Sequence, residues 1–476
     1  MRTRSMPLLA LVLLVAGCAV NPVTGQRQLA LISEAQEIEM GRQVAEDAAR
    51  QMGLVDDPAL QAYVERLGMA MARASERPNL PWSFQVVDDP TPNAFAAPGG
   101  YIFITRGLLG LMRNEAELVS VLGHEIGHVT ARHSVTMLSR AQLAQIGLGI
   151  GSVLSPTVAR LGDIAGAGLS LLFLSYGRDA ERQADDLGFR YMLEQGFDAR
   201  QMVNVFASLQ RAGEASERSA VPAWLSTHPY PEERITRIQQ HLAELNQPLD
   251  QARVGTVDFM TRIEGMVYGE NPRNGFFRAN QFLHPDLRFR LDFPQGWQTR
   301  NMSQAVLAGS PQQDALIQLT LATGTPDQAA NAFFGQQGIT ASQVARQTIN
   351  GLSAVTGYFQ VQTEQGQLAG FATFITVENR TYQLLAYTPA QLMGRYDAAF
   401  RATAGSFARL TDPQALAVQP DRITIVNPAQ AMTLTQFNQR HPSRIPIEEL
   451  ALINQLAGPT ATVPAAYRMK RVIAGG

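Results

Sequence analysis

Hydrophobic and polar positions divide the chain into a helix-patterned first half and a strand-patterned second half. Ser33 with Gln36 makes a capping box and predicts a helix to about Met52. Asp57-Pro58 opens a second helix, with proline at the tolerated first position. Phe84 to Asp88 and Tyr101 to Thr105 read as short strands, joined through the turn-rich stretch from Asp89 to Gly100. From there to about Leu245 the pattern is almost wholly helical, with one helix beginning near Asn114. The character changes near Gln247. From Asp286 to about Leu410 the chain is strand-rich: Leu287-Arg288-Phe289-Arg290-Leu291-Asp292-Phe293 alternates as a half-buried strand does. That run ends in the turn signal Pro294-Gln295-Gly296-Trp297, and Ala315 to Leu321 and Gly370 to Val377 predict further strands. Proline-containing residues from Thr411 to Pro420 read as a linker. Arg422 to Val472 then read as a short strand, two helical stretches and a final strand. No internal repeat is evident.

The first seventeen residues stand outside this pattern. Arg2 and Arg4 precede an apolar run from Leu8 to Val15. That run is shorter than the about 20 residues a membrane span needs and has the form of a secretory signal. Val15-Ala16-Gly17-Cys18 resembles the bacterial lipobox, in which the cysteine is acylated and becomes the first mature residue. Cys18 is the one cysteine in 476 residues, so no internal disulfide forms and acylation is the role expected for it. Ala19 follows, where aspartate is associated with inner-membrane retention. The outer membrane, periplasmic face, in a Gram-negative cell is therefore expected, with several acyl chains making the anchor stable. Asn21 to Gln28 read as a short tether.

Composition narrows the classes. Losing Arg2 and Arg4 leaves 37 of the 39 basic residues against 41 acidic ones, a balance that gives no reason to expect nucleic acid. The apolar, glycine-rich stretch from Leu143 to Leu174 is interrupted by Pro156, Arg160 and Asp163 and predicts buried or lid-forming helices rather than a membrane span.

The chemistry gathers at Gly123-His124-Glu125-Ile126-Gly127-His128, inside the helical pattern that begins near Asn114. Histidines at i and i+4 lie one above the other on a helix face, so both imidazoles reach one Zn²⁺ at about 2.0–2.1 Å. Glu125, about 100° round the helix, addresses a water there rather than the metal, the placement of a general base in peptide hydrolysis. Gly127 costs about 1 kcal/mol in a helix interior and implies that something packs closely on it. A catalytic zinc takes three protein ligands and leaves one position open. Glu181 and Asp185, again i and i+4 on a helical segment, supply the third: one carboxylate binds the metal while the other accepts the N–H of a ligand histidine. His133 lies nine residues from His124, about half a turn round a continuous helix, and is expected to point away from the metal as a structural residue. His241, His284 and His441 have no partners at ligand spacing and receive no role.

Asn93-Ala94-Phe95, Pro98-Gly99-Gly100, the His124–His128 motif and Glu181-Arg182-Gln183-Ala184-Asp185 together resemble the M48 zinc metallopeptidases, over roughly Leu29 to Ala243. The resemblance is to the periplasmic lipoprotein type, without tetratricopeptide repeats. It implies a gluzincin fold with one zinc per chain, His124, His128 and Glu181 as ligands, Glu125 as catalytic base and acid, and Asp185 behind a ligand histidine. It further implies that the strand before the active helix, near Asn93, Ala94 and Phe95, binds substrate backbone. His228 resembles a histidine that in periplasmic members occupies the open zinc position, which makes it a regulatory or transition-state candidate. Phe289 to Trp297 resembles the Mog1/PsbP-like α/β sandwich, and Arg422 to Val472 loosely resembles a LysM module, with a longer spacing between its helices.

The expected fold is α+β: a mainly helical zincin-like domain with a small sheet, then a smaller α/β sandwich and a LysM-like module. The expected division is a signal at 1–17, a lipid tether at 18–28, the metallopeptidase at 29–246, the sandwich at 275–410 and the module at 420–476. The expected function is zinc-dependent endoproteolysis of misfolded or stalled envelope proteins. The rival is a chaperone-like assembly or peptidoglycan-binding scaffold whose proteolysis is suppressed.

Overall fold

The computed structural model describes residues 18–148, 175–216, 223–229, 231–302, 304–363 and 366–475. The signal at 1–17 and most of the apolar stretch from Leu143 to Leu174 lie outside the described residues. The chain folds as two compact units. The first runs as far as Gly269, less Arg50–Met52, and takes up the chain again over Asp421–Ala474; the second is Glu270–Pro420 with Arg50–Met52.

In the first unit, β1 (Cys18–Val20) and β2 (Arg27–Leu29) pair as an antiparallel hairpin across the residues read as a tether. Helix α1 (Glu34–Met52) starts at the Ser33–Gln36 capping box, and α2 (Pro58–Ala74) is capped by the Asp57 carboxylate. A three-stranded sheet follows, of β3 (Ser83–Val87), β4 (Ala94–Ala97) and β5 (Tyr101–Thr105) in the order β3-β5-β4. β3 runs parallel to β5, and β4 lies antiparallel at the edge. Hydrophobic patterning placed only turns between Asp89 and Gly100, whereas the family resemblance implied a strand near Asn93, Ala94 and Phe95. β4 is too short and too uniformly buried to alternate, so periodicity does not reveal it.

Helices α3 (Arg106–Leu111), α4 (Glu115–Thr130), α5 (His133–Leu148), α6 (Arg178–Glu194), α7 (Gln201–Ser216), α8 (Ala223–Thr227), α9 (Pro231–Glu244) and α10 (Thr256–Ile263) complete this stretch. Every residue of α4 is buried, which is why it reads as hydrophobic round most of its surface. Among the described residues no helix is long and apolar enough to cross a membrane.

Among the described residues, the second unit is built of β-structure with three α-helices. Strands β6 (Phe276–Arg278), β7 (Gln281–His284) and β8 (Phe289–Asp292) join β16 (Ala408–Arg409) in one sheet. The other sheet has seven strands: β9 (Gln298–Asn301), β10 (Ala305–Gly309), β11 (Leu316–Ala322), β12 (Ile339–Ile349), β13 (Leu352–Thr363), β14 (Gly366–Val377) and β15 (Arg380–Pro389). Helices α11 (Pro326–Phe334), α12 (Met393–Ser406) and α13 (Pro413–Leu416) complete it. Alternation along β11 and β15 puts Ile317, Leu319, Leu384 and Ala386 into the core with Phe289, Leu291 and Phe400.

The chain then re-enters the first unit through β17 (Arg422–Val426), β18 (Met432–Thr433), α14 (Leu434–Arg440), α15 (Ile447–Ile453), β19 (Thr462–Val463) and β20 (Met469–Ile473). β17 pairs with β20, and β18 with β19, both antiparallel. Leu434, Phe437, Leu450, Ile453, Met469 and Val472 belong to the same core as Leu118, Leu122 and Ile126 of α4. Polar groups close the joint. The buried Lys470 ammonium donates to the carbonyls of Gly110 and Met112 at 2.6 and 2.7 Å, and Gln455 donates to Glu117 at 2.9 Å. These bonds satisfy carbonyls and a carboxylate that burial would otherwise leave costly.

The candidate metal centre

The centre is assembled where α4 crosses α6. Asn114 caps α4, its side chain accepting from the Glu117 amide. The helices approach closely because their facing residues are small: a Cβ on Gly127 would sit 3.0 Å from Ala184 Cα and O, and one on Gly188 would sit 2.9 Å from the His124 amide nitrogen. This is the close packing that Gly127 implied. It sets the Glu181–Asp185 face of α6 beneath the His124–His128 face of α4.

His124 Nε2 lies 3.0 Å from His128 Nε2 and 3.2 Å from His228 Nδ1. Glu181 Oε1 lies 3.1 Å from His228 Nδ1 and 3.4 Å from His128 Nε2, and Glu181 Oε2 is 3.6 Å from His124 Nε2. The ligand atoms of these four residues fall within 4.8 Å of one another, and all four are buried. Three ring nitrogens and a carboxylate thus converge on one point, the nitrogen and oxygen donor set that zinc takes. Two ligands of a tetrahedral zinc, each at about 2.0–2.1 Å, are about 3.3 Å apart, so the residues fit such an ion. His228 arrives from the turn after α8, with its amide held by the Trp224 carbonyl and its ring stacked on the Trp224 indole.

A second layer faces away from that point. Asp185 Oδ1 is 2.9 Å from His124 Nδ1. Arg234, on α9, donates to both Asp185 oxygens at 2.7 and 2.8 Å and lies 3.0 Å from Glu181 Oε2. Its guanidinium, only 2% exposed, packs over the Phe206 and Trp224 rings. Burial works against charge on Glu181, but His228 and Arg234 outweigh it and hold the carboxyl well below the usual range. Burial likewise opposes charge on His228, and the Glu181 and Glu125 carboxylates outweigh it and raise its pKa. Glu125 is fully buried, and neither of its oxygens has a hydrogen-bond partner among the described residues. His228 Nε2 stands 3.4 Å from Glu125 Oε1. Burial pushes the Glu125 carboxyl up.

His124, Glu125, His128, Glu181, Asp185 and His228 are therefore brought together. Asn93, Ala94 and Phe95 are not among the donors: Asn93 precedes β4, with its carbonyl taken by the Thr105 amide, and Ala94 and Phe95 pair with Ile104 and Phe103 of β5. Cys18 begins β1, opposite Leu29. His133 differs from expectation. α4 stops at Thr130, Arg132 takes a left-handed φ of 58°, and α5 starts afresh at His133. The continuous-helix angle therefore does not apply, and the His133 ring turns back to within 2.9 Å of His128. Tyr176, whose ring stacks on His128 at 3.9 Å, and Arg234 were not anticipated. An arginine among Glu232, Glu233 and Arg237 reads as part of a solvated face, and no local signal marks it as buried.

Comparison with known proteins agrees with this geometry. Peptidase family M48 matches residues 58–242, which include every donor in the cluster. The beta-barrel assembly-enhancing protease of Yersinia pestis is 31% identical over 224 residues, 45% of this chain and 46% of that one. That of Escherichia coli strain K12 is 30% identical over 45% of each chain. The mitochondrial metalloendopeptidase OMA1 of Schizosaccharomyces pombe is 29% identical over 47% of this chain and 66% of its own. The chain thus spans less than half the length of these bacterial relatives. Among solved structures, the cyanobacterial PsbP of Synechocystis covers 28% of this chain and 94% of its own at 14% identity, with a TM-score of 0.24. Residues 58–242 of this chain match peptidase family M48, a family of zinc-dependent metallopeptidases.

Proposed function

We propose that the chain is a zinc-dependent metalloendopeptidase. The observation that carries this is the convergence of His124, His128 and Glu181 within one buried cluster, with the Glu125 carboxylate, free of hydrogen bonds among the described residues, beside it. When bound, zinc supplies a Lewis acid for the scissile carbonyl and activates the attacking water. The protein's own groups do the rest. Glu125 takes the water's proton on a carboxylate oxygen and returns it to the leaving amine nitrogen. Asp185 accepts the Nδ1 proton of His124 and so keeps its Nε2 free as a ligand. Arg234 holds both carboxylates of α6 in place. β4, at the sheet edge, offers backbone groups to an extended substrate near Asn93, Ala94 and Phe95.

The finer reading places the protein on the periplasmic face of the outer membrane, anchored through acylated Cys18, where it degrades misfolded or stalled envelope proteins. Its support is the lipobox-like Val15–Cys18 and the bacterial relatives named beta-barrel assembly-enhancing protease. Residues 275–410 are read as a Mog1/PsbP-like sandwich, on the two antiparallel sheets and their helices. Residues 420–476 are read as LysM-like, on the order β17, α14, α15, β20.

One observation favours the rival scaffold reading: His228 Nδ1 already sits among the donors, and as a fourth ligand it would fill the position a catalytic zinc keeps open. The test is zinc content and cleavage of unfolded casein by the chain, beside Glu125→Gln and His228→Ala. One zinc in the parent, metal retained but cleavage lost in Glu125→Gln, and faster cleavage by His228→Ala are expected. Zinc binding with no cleavage by any variant would favour the scaffold, and binding to purified peptidoglycan sacculi would then be its direct assay.

A further inference from the structure

His128 needs an orienting partner as much as His124 does, and a carboxylate serves only His124. The corner after α4 supplies another group. Arg132, at its left-handed φ of 58°, is in a conformation that costs a non-glycine residue about 1–2 kcal/mol, and buried bonds hold it there. Arg132 Nε donates to Glu37 Oε2 at 3.0 Å, and its Nη2 donates to the Ile32 carbonyl at 3.0 Å. Arg77 Nη1 donates to the Val129 carbonyl at 3.0 Å and to Glu37 Oε1 at 2.8 Å. With the corner fixed, the next residue, His133, puts its Nδ1 2.9 Å from His128 Nδ1 and its Nε2 3.0 Å from Gln183 Oε1.

Only one direction of proton donation through these three residues leaves His128 able to bind metal. A ligand imidazole is neutral, with a lone pair on the ligating nitrogen and its proton on the other. If His128 Nε2 faces the donor cluster as a lone pair, the proton is on Nδ1, and the acceptor beside it is His133 Nδ1. His133 then carries its own proton on Nε2 and donates to the Gln183 carbonyl oxygen. The reverse direction, from the Gln183 amide N–H inward, places a proton on His128 Nε2 and blocks ligation.

We propose that His133 is a positioning residue for the metal centre, accepting the His128 Nδ1 proton and, with Gln183, keeping His128 Nε2 as a lone pair for zinc. This rests on the zinc reading given above.

The test is zinc affinity, by chelator competition, of the full chain beside His133→Phe, Gln183→Leu and Gln183→Glu. His133→Phe keeps the ring and Gln183→Leu keeps the volume, but each breaks the chain of acceptors. Both are expected to weaken zinc binding roughly 10–100-fold, while Gln183→Glu, which retains an acceptor oxygen, binds as the parent does. In ¹⁵N spectra of the zinc-loaded parent, protons are expected on His128 Nδ1 and His133 Nε2. Parental affinity in Gln183→Leu overturns the proposal, and this variant leaves the buried corner untouched should His133→Phe fail to fold. A proton found on His133 Nδ1 overturns it as well. A parent that binds no zinc takes down the metal reading and this one together, whereas a zinc-binding parent matched by Gln183→Leu takes down only this one.

Discussion

Arg234 is the residue on which the charge balance of the site turns. It is the cation that lies against both Glu181 and Asp185, with its side chain 2% exposed. Removing one member of such a buried group costs about 3–5 kcal/mol, because the partner charges stay buried without it. Arg234→Met should therefore lower the melting temperature of the zinc-free protein, read by calorimetry. Arg234→Lys should recover only part of the loss, since an ammonium cannot reproduce the forked contact with Asp185. A melting temperature unchanged in Arg234→Met would remove Arg234 from this role. In the second unit, burial pushes His284 down to about 4, and its Nδ1 accepts the Leu287 amide at 3.2 Å. Below about pH 6.5 the unfolded chain gains a proton there that the folded chain refuses. Stability is therefore complete above that pH and falls, by about 1.4 kcal/mol per unit, as pH drops towards 4. His284→Phe should flatten that slope. Urea unfolding followed by Trp297 fluorescence, in a chain with Trp82 and Trp224 replaced by phenylalanine, measures it. At this scale the sequence carried much of the site but not all of it. His124, Glu125 and His128 are legible because their spacing is helical and local. His133 was misplaced because one left-handed residue ended the helix on which the angle was counted. Arg234 and Tyr176 are set by long-range packing that leaves no local trace.

Helices α4 and α6 illustrate how an element is chosen for its neighbour rather than its own stability. Gly123, Gly127 and Gly188 weaken isolated helices, and all three lie where backbone meets backbone. Gly188→Ala would bring a methyl group to 2.9 Å from the His124 amide nitrogen, which α4 cannot yield without moving His124. A cost of about 1–3 kcal/mol in stability is expected, together with weaker zinc binding, both measurable on the purified variant. Gly196→Ala is the wrong control, because φ is 72° there; Gly177→Ala, open and free of that constraint, is the right one. Capped helices such as α1 and α2 were readable from Ser33, Gln36 and Asp57, since caps are local chemistry. Patterning alone did not show β4, which only the family resemblance implied, nor the long β12–β13 hairpin, because pairing with a neighbouring strand is what makes each a strand.

Across the whole molecule, the chain leaves the first unit and returns to it at adjoining points. The Gly265 amide donates to the Ile423 carbonyl at 2.8 Å, Ile423 to Met266 at 2.9 Å, and Tyr268 to Asp421 at 2.8 Å. Departing and returning segments thus already form a ladder. Replacing 270–420 by a short glycine-serine linker should leave a peptidase unit that folds and binds zinc. Stopping the chain at Pro420 should not, because each large apolar side chain lost from the shared core is worth about 1.5–3 kcal/mol against a net stability of about 5–15 kcal/mol. Zinc content and melting temperature of the two truncations decide the point, and equal behaviour would sink it.

Synthesis gives that topology a direction in time. His124 and His128 are made early, yet the core that supports their helix waits for Leu434, Ile453 and Val472, which are made after Glu270–Pro420. A nascent or truncated chain therefore displays the His124–His128 pair without the framework that aims it. On the peptidase function proposed above, Leu434–Val472 would act as a safety catch, with cleavage expected only after that segment has emerged and packed.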